Sequence, residues 1–407
     1  MNQRTLLITL TGPDRPGVTS RLFSVLAGFP VVVADVEQVV IRGRLTLGVL
    51  VSYAGDTPTG TGGTLGALWT TVERTAEDLG LHVEMSTGSD PKEKRRRGRL
   101  NVTVLGAPLQ PAAMAGISGR IAAAGANIDR IERLSSYPVT CIELSLSGAD
   151  PDTLRAELAV EAHAQQVDVA VQRTGLHRRA KRLIVMDVDS TLIQAEVIEL
   201  LAAHAGCLEE VARVTEEAMR GELDFAESLR RRVALLEGLS TEVFEKVREE
   251  LVLTPGARTL VRTLKRLDYR FAIVSGGFTQ LTDALVEDLG IDYSAANTLE
   301  VVDGVLTGRV VGEIVDRPGK ARALERFARE AGIPISQTVA IGDGANDLDM
   351  IAAAGLGIAF NAKPVVRRAA DTAVNVPYLD SILYLLGIPR AEVEDADAED
   401  GVIADNR

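Results

Sequence analysis

Two carboxylates stand two residues apart where a short apolar run ends, in Met186-Asp187-Val188-Asp189-Ser190-Thr191. Acids just beyond a buried strand lie where open α/β sheets bind ligands, although a capped helix start would look the same. A second apolar run ends Val274-Ser275-Gly276-Gly277-Phe278. This places a hydroxyl and two glycines at a strand-to-helix turn, suited to presenting backbone N–H groups to a phosphate. A third ends Ile341-Gly342-Asp343-Gly344-Ala345-Asn346-Asp347, carboxylates again among glycines. Between the last two, Lys320 enters a helix in Arg317-Pro318-Gly319-Lys320, where a lone lysine is ordinarily solvated. Each segment alone has a bland reading; four in this order, each at its expected structural place, do not.

These residues need a sheet to hold them. From Leu183 onward the apolar runs Leu183 to Met186, Phe271 to Val274, Thr338 to Ile341, Leu356 to Phe360 and Thr372 to Val376 alternate with helical patterns, which predicts a parallel sheet covered by helices. Ala195 to Leu253 is rich in Glu, Arg, Leu and Ala and shows no strand. It is expected to be an inserted helical unit able to cover the sheet edge. Upstream, residues 4 to 86 read strand, helix, two strands, helix, strand, and the order recurs from Leu100 to Arg173. Gly12 matches Gly106 and Asp35 matches Asp129 at a constant offset of 94, too long for a solenoid and fitting a duplicated split-βαβ module. The expected layout is 1–86 and 99–174 for the modules, 87–98 for a basic linker, 180–390 for the sheet domain with its insertion at about 196–254, and 391–407 for a tail.

With 407 residues, 46% hydrophobic and 25% charged, the chain has the length of two to four domains and an ordinary globular composition. No apolar run approaches about 18 residues and no signal-peptide core opens the chain, so a soluble, cytoplasmic protein is expected. Fifty-seven acids against 44 bases, a net charge of −13, argue against nucleic acid or anionic membrane as partner. Cys141 and Cys207 form no CxxC pair, and the four histidines have no metal-binding spacing. A bound metal would then be held by carboxylates, which favours a hard ion such as Mg2+. The basic runs Lys92 to Arg97 and His177 to Arg182 read as solvated linkers. Residues 391 to 407, with seven acids and one base, read as a disordered tail.

Together the four segments resemble the haloacid dehalogenase (HAD) superfamily of aspartate-nucleophile phosphotransferases, and Asp189 gives them the phosphatase form. The resemblance implies that Asp187 attacks phosphorus and that Asp189 serves as general acid and then base. It further implies Mg2+ held by Asp187, Asp343 and the backbone carbonyl of Asp189, with Lys320 beside it. Ser275, the Gly276 amide and Asn346 would hold phosphoryl oxygens, Gly277 would support that turn, and Asp347 would orient a metal-bound water. An isolated Glu or Arg in the insertion would be a surface charge. Yet Asp189 to Leu192, Glu196 to Glu199 and Glu217 to Arg232 resemble the phosphoserine phosphatase family, over residues 182 to 388. That resemblance assigns the substrate ammonium to Glu196 and its carboxylate to Arg232, with Met219 and Phe225 closing over the site. Opposite charges of this kind suit a zwitterion.

The tandem βαββαβ modules resemble ACT domains, amino-acid-sensing modules, through their order and through Thr11-Gly12-Pro13-Asp14-Arg15-Pro16-Gly17-Val18. The second module has Gly106-Ala107-Pro108-Leu109-Gln110-Pro111 instead, without Asp-Arg-Pro-Gly. This implies an effector site near Asp14, Gly17 and Gly106, with L-serine as effector, and a homodimer formed through the ACT domains. The expected fold is α/β: a HAD-type, Rossmann-like parallel sheet with a helical cap, preceded by two α+β ferredoxin-like modules. The expected activity is Mg2+-dependent hydrolysis of O-phospho-L-serine to L-serine, through an aspartyl-phosphate, in L-serine biosynthesis. A phosphotransferase or broader phosphomonoesterase using the same intermediate is the enzymatic rival. A non-enzymatic amino-acid sensor is the rival of another class, and the intact Asp187, Asp189, Lys320 and Asp343 speak against it.

Overall fold

The computed structural model describes residues 4–53, 64–89, 99–220 and 222–402. The Lys92 to Arg97 run, residues 403–407 and the side chains of His177 and Met219 lie outside the described residues. The chain divides into two units, Met1–Arg96 and Arg97–Arg407, each described by itself.

The first unit consists of β1 (Arg4–Pro13), α1 (Val18–Leu26), β2 (Val32–Ile41), β3 (Arg44–Tyr53), α2 (Thr64–Asp78) and β4 (His82–Ser89). Its antiparallel sheet has the order β2-β3-β1-β4. Period-two burial of Leu6, Ile8 and Leu10, and of Leu45, Leu47, Val49 and Val51, turns one sheet face onto Val18, Leu22 and Leu26 of α1 and Leu65, Leu68 and Val72 of α2. The loop with Asp14 and Gly17 joins β1 to α1, and Gly17 takes φ 95° at the start of that helix.

The second unit begins with β5 (Leu100–Gly106), α3 (Pro111–Ala123), β6 (Asn127–Ser135), β7 (Thr140–Ser147), α4 (Pro151–Gln165) and β8 (Asp168–Arg173), in the order β6-β7-β5-β8. Leu100, Val102 and Val104 face the helices through Ile117, Ile121, Leu154 and Leu158. The opposite face is buried too: Leu105, Cys141 and Ala170 join the main core of the following domain. The Asp168 carboxylate accepts from Asn375 N–H and Nδ2, both at 2.6 Å.

After the one-turn α5 (Leu176–Arg179) comes β9 (Leu183–Asp187), then four helices, α6 (Val197–Ala205), α7 (Leu208–Met219), α8 (Phe225–Ala234) and α9 (Val243–Glu250). The chain returns through α10 (Ala257–Arg266), β10 (Arg270–Phe278), α11 (Thr279–Leu289), β11 (Tyr293–Val302), β12 (Val305–Val311) and α12 (Arg317–Glu330). It continues with β13 (Thr338–Gly342), α13 (Leu348–Ala353), β14 (Gly357–Phe360), α14 (Pro364–Ala369), β15 (Thr372–Val374), α15 (Ile382–Leu385) and α16 (Arg390–Glu399). The seven-stranded sheet has the order β12-β11-β10-β9-β13-β14-β15, parallel except at β12. Ile184, Met186, Ile273 and Ile341 fill one layer, and Leu183, Val185, Ala272 and Ala340 the other, which explains strands apolar without alternation. Because β10 and β13 flank β9 on opposite sides, strand order reverses at β9, and a crevice opens at its carboxyl end.

Three expectations are corrected. The acidic C-terminal segment is not a disordered tail over its described part. It forms α16, and Asp397 accepts from Arg262 Nε at 3.0 Å and Nη2 at 2.5 Å and from Arg266 Nη1 at 2.6 Å. Nor is the second basic run solvated throughout. Arg178 forms a partly buried ion pair with Glu143, and Lys181 Nζ donates to the carbonyls of Ser336 at 2.8 Å and Gly355 at 2.5 Å. Finally, the hairpin β11–β12 interrupts what read as helical connection. It meets the insertion where Gly238 N–H donates to Leu306 O at 2.8 Å and Leu306 N–H to Leu239 O at 2.9 Å.

Candidate active site

The crevice collects the ends of three strands. Val274 pairs with Asp187 across β10 and β9, so the Asp187 carboxylate and the Ser275 turn lie side by side, while β13 brings Asp343 from the other flank. Asp187 is buried; its Oδ1 accepts from Val188 N–H at 2.8 Å and lies 2.7 Å from Lys320 Nζ. Lys320 reaches in from the first turn of α12, also buried, and its ammonium lies 2.7 Å from Asp347 Oδ1 as well. Gly342 permits this packing, because a Cβ there would stand 2.4 Å from Asp347 Cγ.

Asp189 faces the other way. Its Oδ1 accepts from Val197 N–H and its Oδ2 from Ser275 Oγ, both at 2.8 Å. Ser275 Oγ in turn accepts from Gly277 N–H at 2.7 Å, and a Cβ on Gly277 would approach Ser275 Oγ to 2.9 Å and Asp189 Oδ2 to 3.1 Å. Asn297, buried in β11, was missed by sequence reasoning: its Nδ2 donates to Gly276 O at 2.8 Å, and its Oδ1 accepts from Val315 N–H at 2.9 Å. It clamps the Ser275 to Gly277 turn. The only signal was one amide within a stretch that had not been read as a strand.

Electrostatics mark the site as short of positive charge. Burial pushes the Asp187 carboxyl well above its ordinary range; Asp347 adds to this and Lys320 opposes it. Asp189 is pushed up to about 6, by burial and then by Glu196. Asp343 is also raised to about 6, by burial and then by Asp347 and Glu196. Burial opposes the charge on Lys320, yet Asp187 and then Asp347 outweigh it and hold the ammonium protonated. One carboxylate oxygen from each of Asp187, Asp343 and Asp347 falls within 4.8 Å of the others. An all-oxygen, under-compensated set of this kind fits a hard divalent cation. Asp347 therefore stands among the candidate ligands themselves, and the Asp189 carboxylate does not.

The insertion supplies the other charges. Glu196 begins α6 and accepts from Ser190 Oγ at 2.7 Å. Arg232, half-buried on α8, donates through Nε to Ser228 O at 3.4 Å. Burial lowers its pKa, while Glu196, Asp189 and Glu199 oppose that shift in that order. Phe225 opens α8 below an Asp224 cap that accepts from Glu227 N–H at 2.7 Å, and its ring lies 3.2 Å from where a Gly276 Cβ would stand. Asn346 Oδ1 lies over Gly344, where a Cβ would meet it at 2.1 Å. Of the expected effector residues, Asp14 and Gly17 share one loop of the first unit, and Asp14 N–H donates to Gly43 O at 2.8 Å. Gly106 ends β5 in the second unit, where a Cβ would meet Leu109 Cα at 2.9 Å; close packing alone accounts for it.

Comparison with known proteins agrees with this geometry. Residues 184–352 match the haloacid dehalogenase-like hydrolase family, and residues 4–86 and 100–172 each match an ACT domain family. A phosphoserine phosphatase of Streptomyces coelicolor is 63% identical over 393 residues, 97% of this chain and 94% of that protein. The phosphoserine phosphatase SerB2 of Mycobacterium tuberculosis is 54% identical over 399 residues, covering 97% and 96%. Among solved structures, the unliganded probable phosphoserine phosphatase of Vibrio cholerae is 38% identical with a TM-score of 0.58, covering 74% of this chain and 90% of that one. A HAD family hydrolase of Salmonella enterica serovar Typhi is 27% identical with a TM-score of 0.63, covering 70% and 98%. With Asp187 ending β9, Lys320 between it and Asp347, and relatives matching over nearly the whole chain, the chain belongs to the phosphoserine phosphatase family.

Proposed function

We propose that this chain hydrolyses O-phospho-L-serine to L-serine and phosphate in L-serine biosynthesis. The observation that carries the reading is the pairing of buried Asp187 with Lys320 at the crevice, under an insertion that adds Glu196 and Arg232. Both contacts on Asp187 fall on Oδ1, which leaves Oδ2 to attack phosphorus and form an aspartyl-phosphate, dividing one displacement into two. Asp189, its carboxyl raised to about 6, gives a proton to the serine oxygen as its bond to phosphorus breaks, producing the hydroxyl, and then accepts one from the water that attacks the aspartyl-phosphate. Ser275, the Gly276 amide and Asn346 hold the phosphoryl oxygens, and Asn297 fixes the turn that carries Ser275 and Gly276. Mg2+ suits Asp187, Asp343, Asp347 and the Asp189 carbonyl, and the chemistry it supplies when bound is to screen repulsion between carboxylate and phosphate. Arg232 takes the substrate carboxylate, Glu196 its ammonium, and Phe225 covers the bound molecule. Phosphate release from O-phospho-L-serine and from sugar phosphates, with and without Mg2+, tests the reading. A preference for sugar phosphates would overturn it.

Regulation is part of the proposal: L-serine binds an ACT module at the Asp14 to Gly17 loop, in a cytoplasmic homodimer formed through those modules. What supports a regulatory role is an amino-acid-sensing family joined to an enzyme whose product is an amino acid. Among the described residues no helix is long and apolar enough to cross a membrane.

A further inference from the structure

Ser190 occupies a backbone position that non-glycine residues ordinarily avoid. Its φ is 57° and its ψ 7°, the left-handed region in which a Cβ is crowded and glycine is the default. Strain of this kind persists where surrounding contacts over-determine it, and it gathers at functional sites. Here the contacts close a ring from Asp189 to Val197. Ser190 N–H donates to Ala195 O at 3.3 Å, Val197 N–H donates to Asp189 Oδ1 at 2.8 Å, and Ser190 Oγ donates to Glu196 Oε1 at 2.7 Å. Glycine would satisfy the backbone of this turn but not the third bond. Glu196 is exposed and makes no side-chain cap to its own helix, so the Ser190 hydroxyl is what ties its carboxylate down.

We infer that Ser190 is a positioning residue for substrate selectivity: its hydroxyl, aimed by the left-handed turn, holds Glu196 Oε1 so that Oε2 is presented to the substrate ammonium. The inference rests on the assignment of that ammonium to Glu196. A carboxylate fixed beforehand loses less rotamer freedom when the ligand arrives. The same ring carries Asp189, so ammonium recognition and the proton-transferring carboxyl are held in one frame.

The test compares kcat and KM for O-phospho-L-serine and for 3-(phosphonooxy)propanoate, the same ester without its ammonium, in wild type, Ser190→Gly and Ser190→Asn, with melting temperatures alongside. Ser190→Gly accepts the backbone and removes the donor. It should melt no lower than wild type, while the preference for O-phospho-L-serine falls about 5- to 20-fold, chiefly through KM, as expected for one hydrogen bond to a charged group. Ser190→Asn tolerates the left-handed region and offers an N–H donor, so it should restore at least half of the preference on a logarithmic scale. A Gly variant that keeps the wild-type preference, or loses rate equally on both esters, overturns the inference. If the wild type itself shows no preference for the ammonium-bearing ester, the assignment of Glu196 falls, and this inference with it.

Discussion

Asp187 and Asp189 are separated by one residue and do different work because their surroundings differ. Asp187 meets an ammonium, whereas Asp189 meets a hydroxyl and a backbone N–H that favour its charged form, and burial and then Glu196 outweigh them to push its carboxyl up to about 6. Asp187→Asn should abolish turnover on every ester, with Mg2+ binding and folding checked by calorimetry and circular dichroism. Asp189→Asn should lose about 10²- to 10⁴-fold in kcat, the usual value of one acid–base group. Arg232→Ala should weaken use of O-phospho-L-serine by about 2–5 kcal/mol in kcat/KM while sparing esters without a carboxylate. Equal losses on both ester types would remove Arg232 from substrate recognition. Asp187 and Asp189 were legible in the sequence because they end a short apolar run and stand in order with three further segments, whereas Arg232, inside a helix, was reached through the family resemblance. Asn297 was not legible, since a buried amide in a strand looks like a surface one until its two partners, Gly276 and Val315, are seen.

The elements that failed to announce themselves are those whose stability comes from remote partners. Hairpin β11–β12 exposes Val301, Val302 and Val305, so its sequence lacks the unbroken apolar run that identified β9 and β13. Helix α16 is acidic enough to resemble a tail, and what orders it is a pair of arginines more than 130 residues earlier. Burial pushes the Asp397 carboxyl up, but hydrogen bonds from Arg262 and then Arg266 outweigh it and hold it below the ordinary range. A depressed carboxyl contributes stability above its unfolded pKa of about 4 and loses it as pH falls through the native value. Docking of α16 should therefore weaken on acidification below about pH 4 and not between pH 5 and 8. Asp397→Ala should cost about 1–3 kcal/mol at pH 7, and the gap between variant and wild type should narrow at low pH. A gap that is constant with pH would mean that helix packing, not the ion pair, holds α16.

At the scale of the whole chain, sequence reading placed both ACT modules upstream of the catalytic domain and told them apart only by the Asp-Arg-Pro-Gly loop, whereas packing separates them further. The second shares its core with the catalytic domain through Leu105, Cys141 and Ala170 and is tied to it by Asp168 and Asn375. That dependence is invisible in sequence because β5 to β8 show the same pattern as β1 to β4, and only packing reveals that both sheet faces are covered. A chain beginning at Arg99 should fold and keep its kcat, whereas one beginning at Leu176 should aggregate or melt much lower, having bared an apolar face. If serine acts at the first module, the Arg99 chain should also lose serine inhibition beyond simple competition; unchanged inhibition would place the effect at the active site. The central claim is covalent: phosphate passes through Asp187. Acid quenching of the enzyme during turnover of phosphorus-labelled O-phospho-L-serine, followed by peptide mapping, should find hydroxylamine-labile label on the peptide containing Asp187. Steady turnover with no trapped label, or label on another residue, would contradict the account.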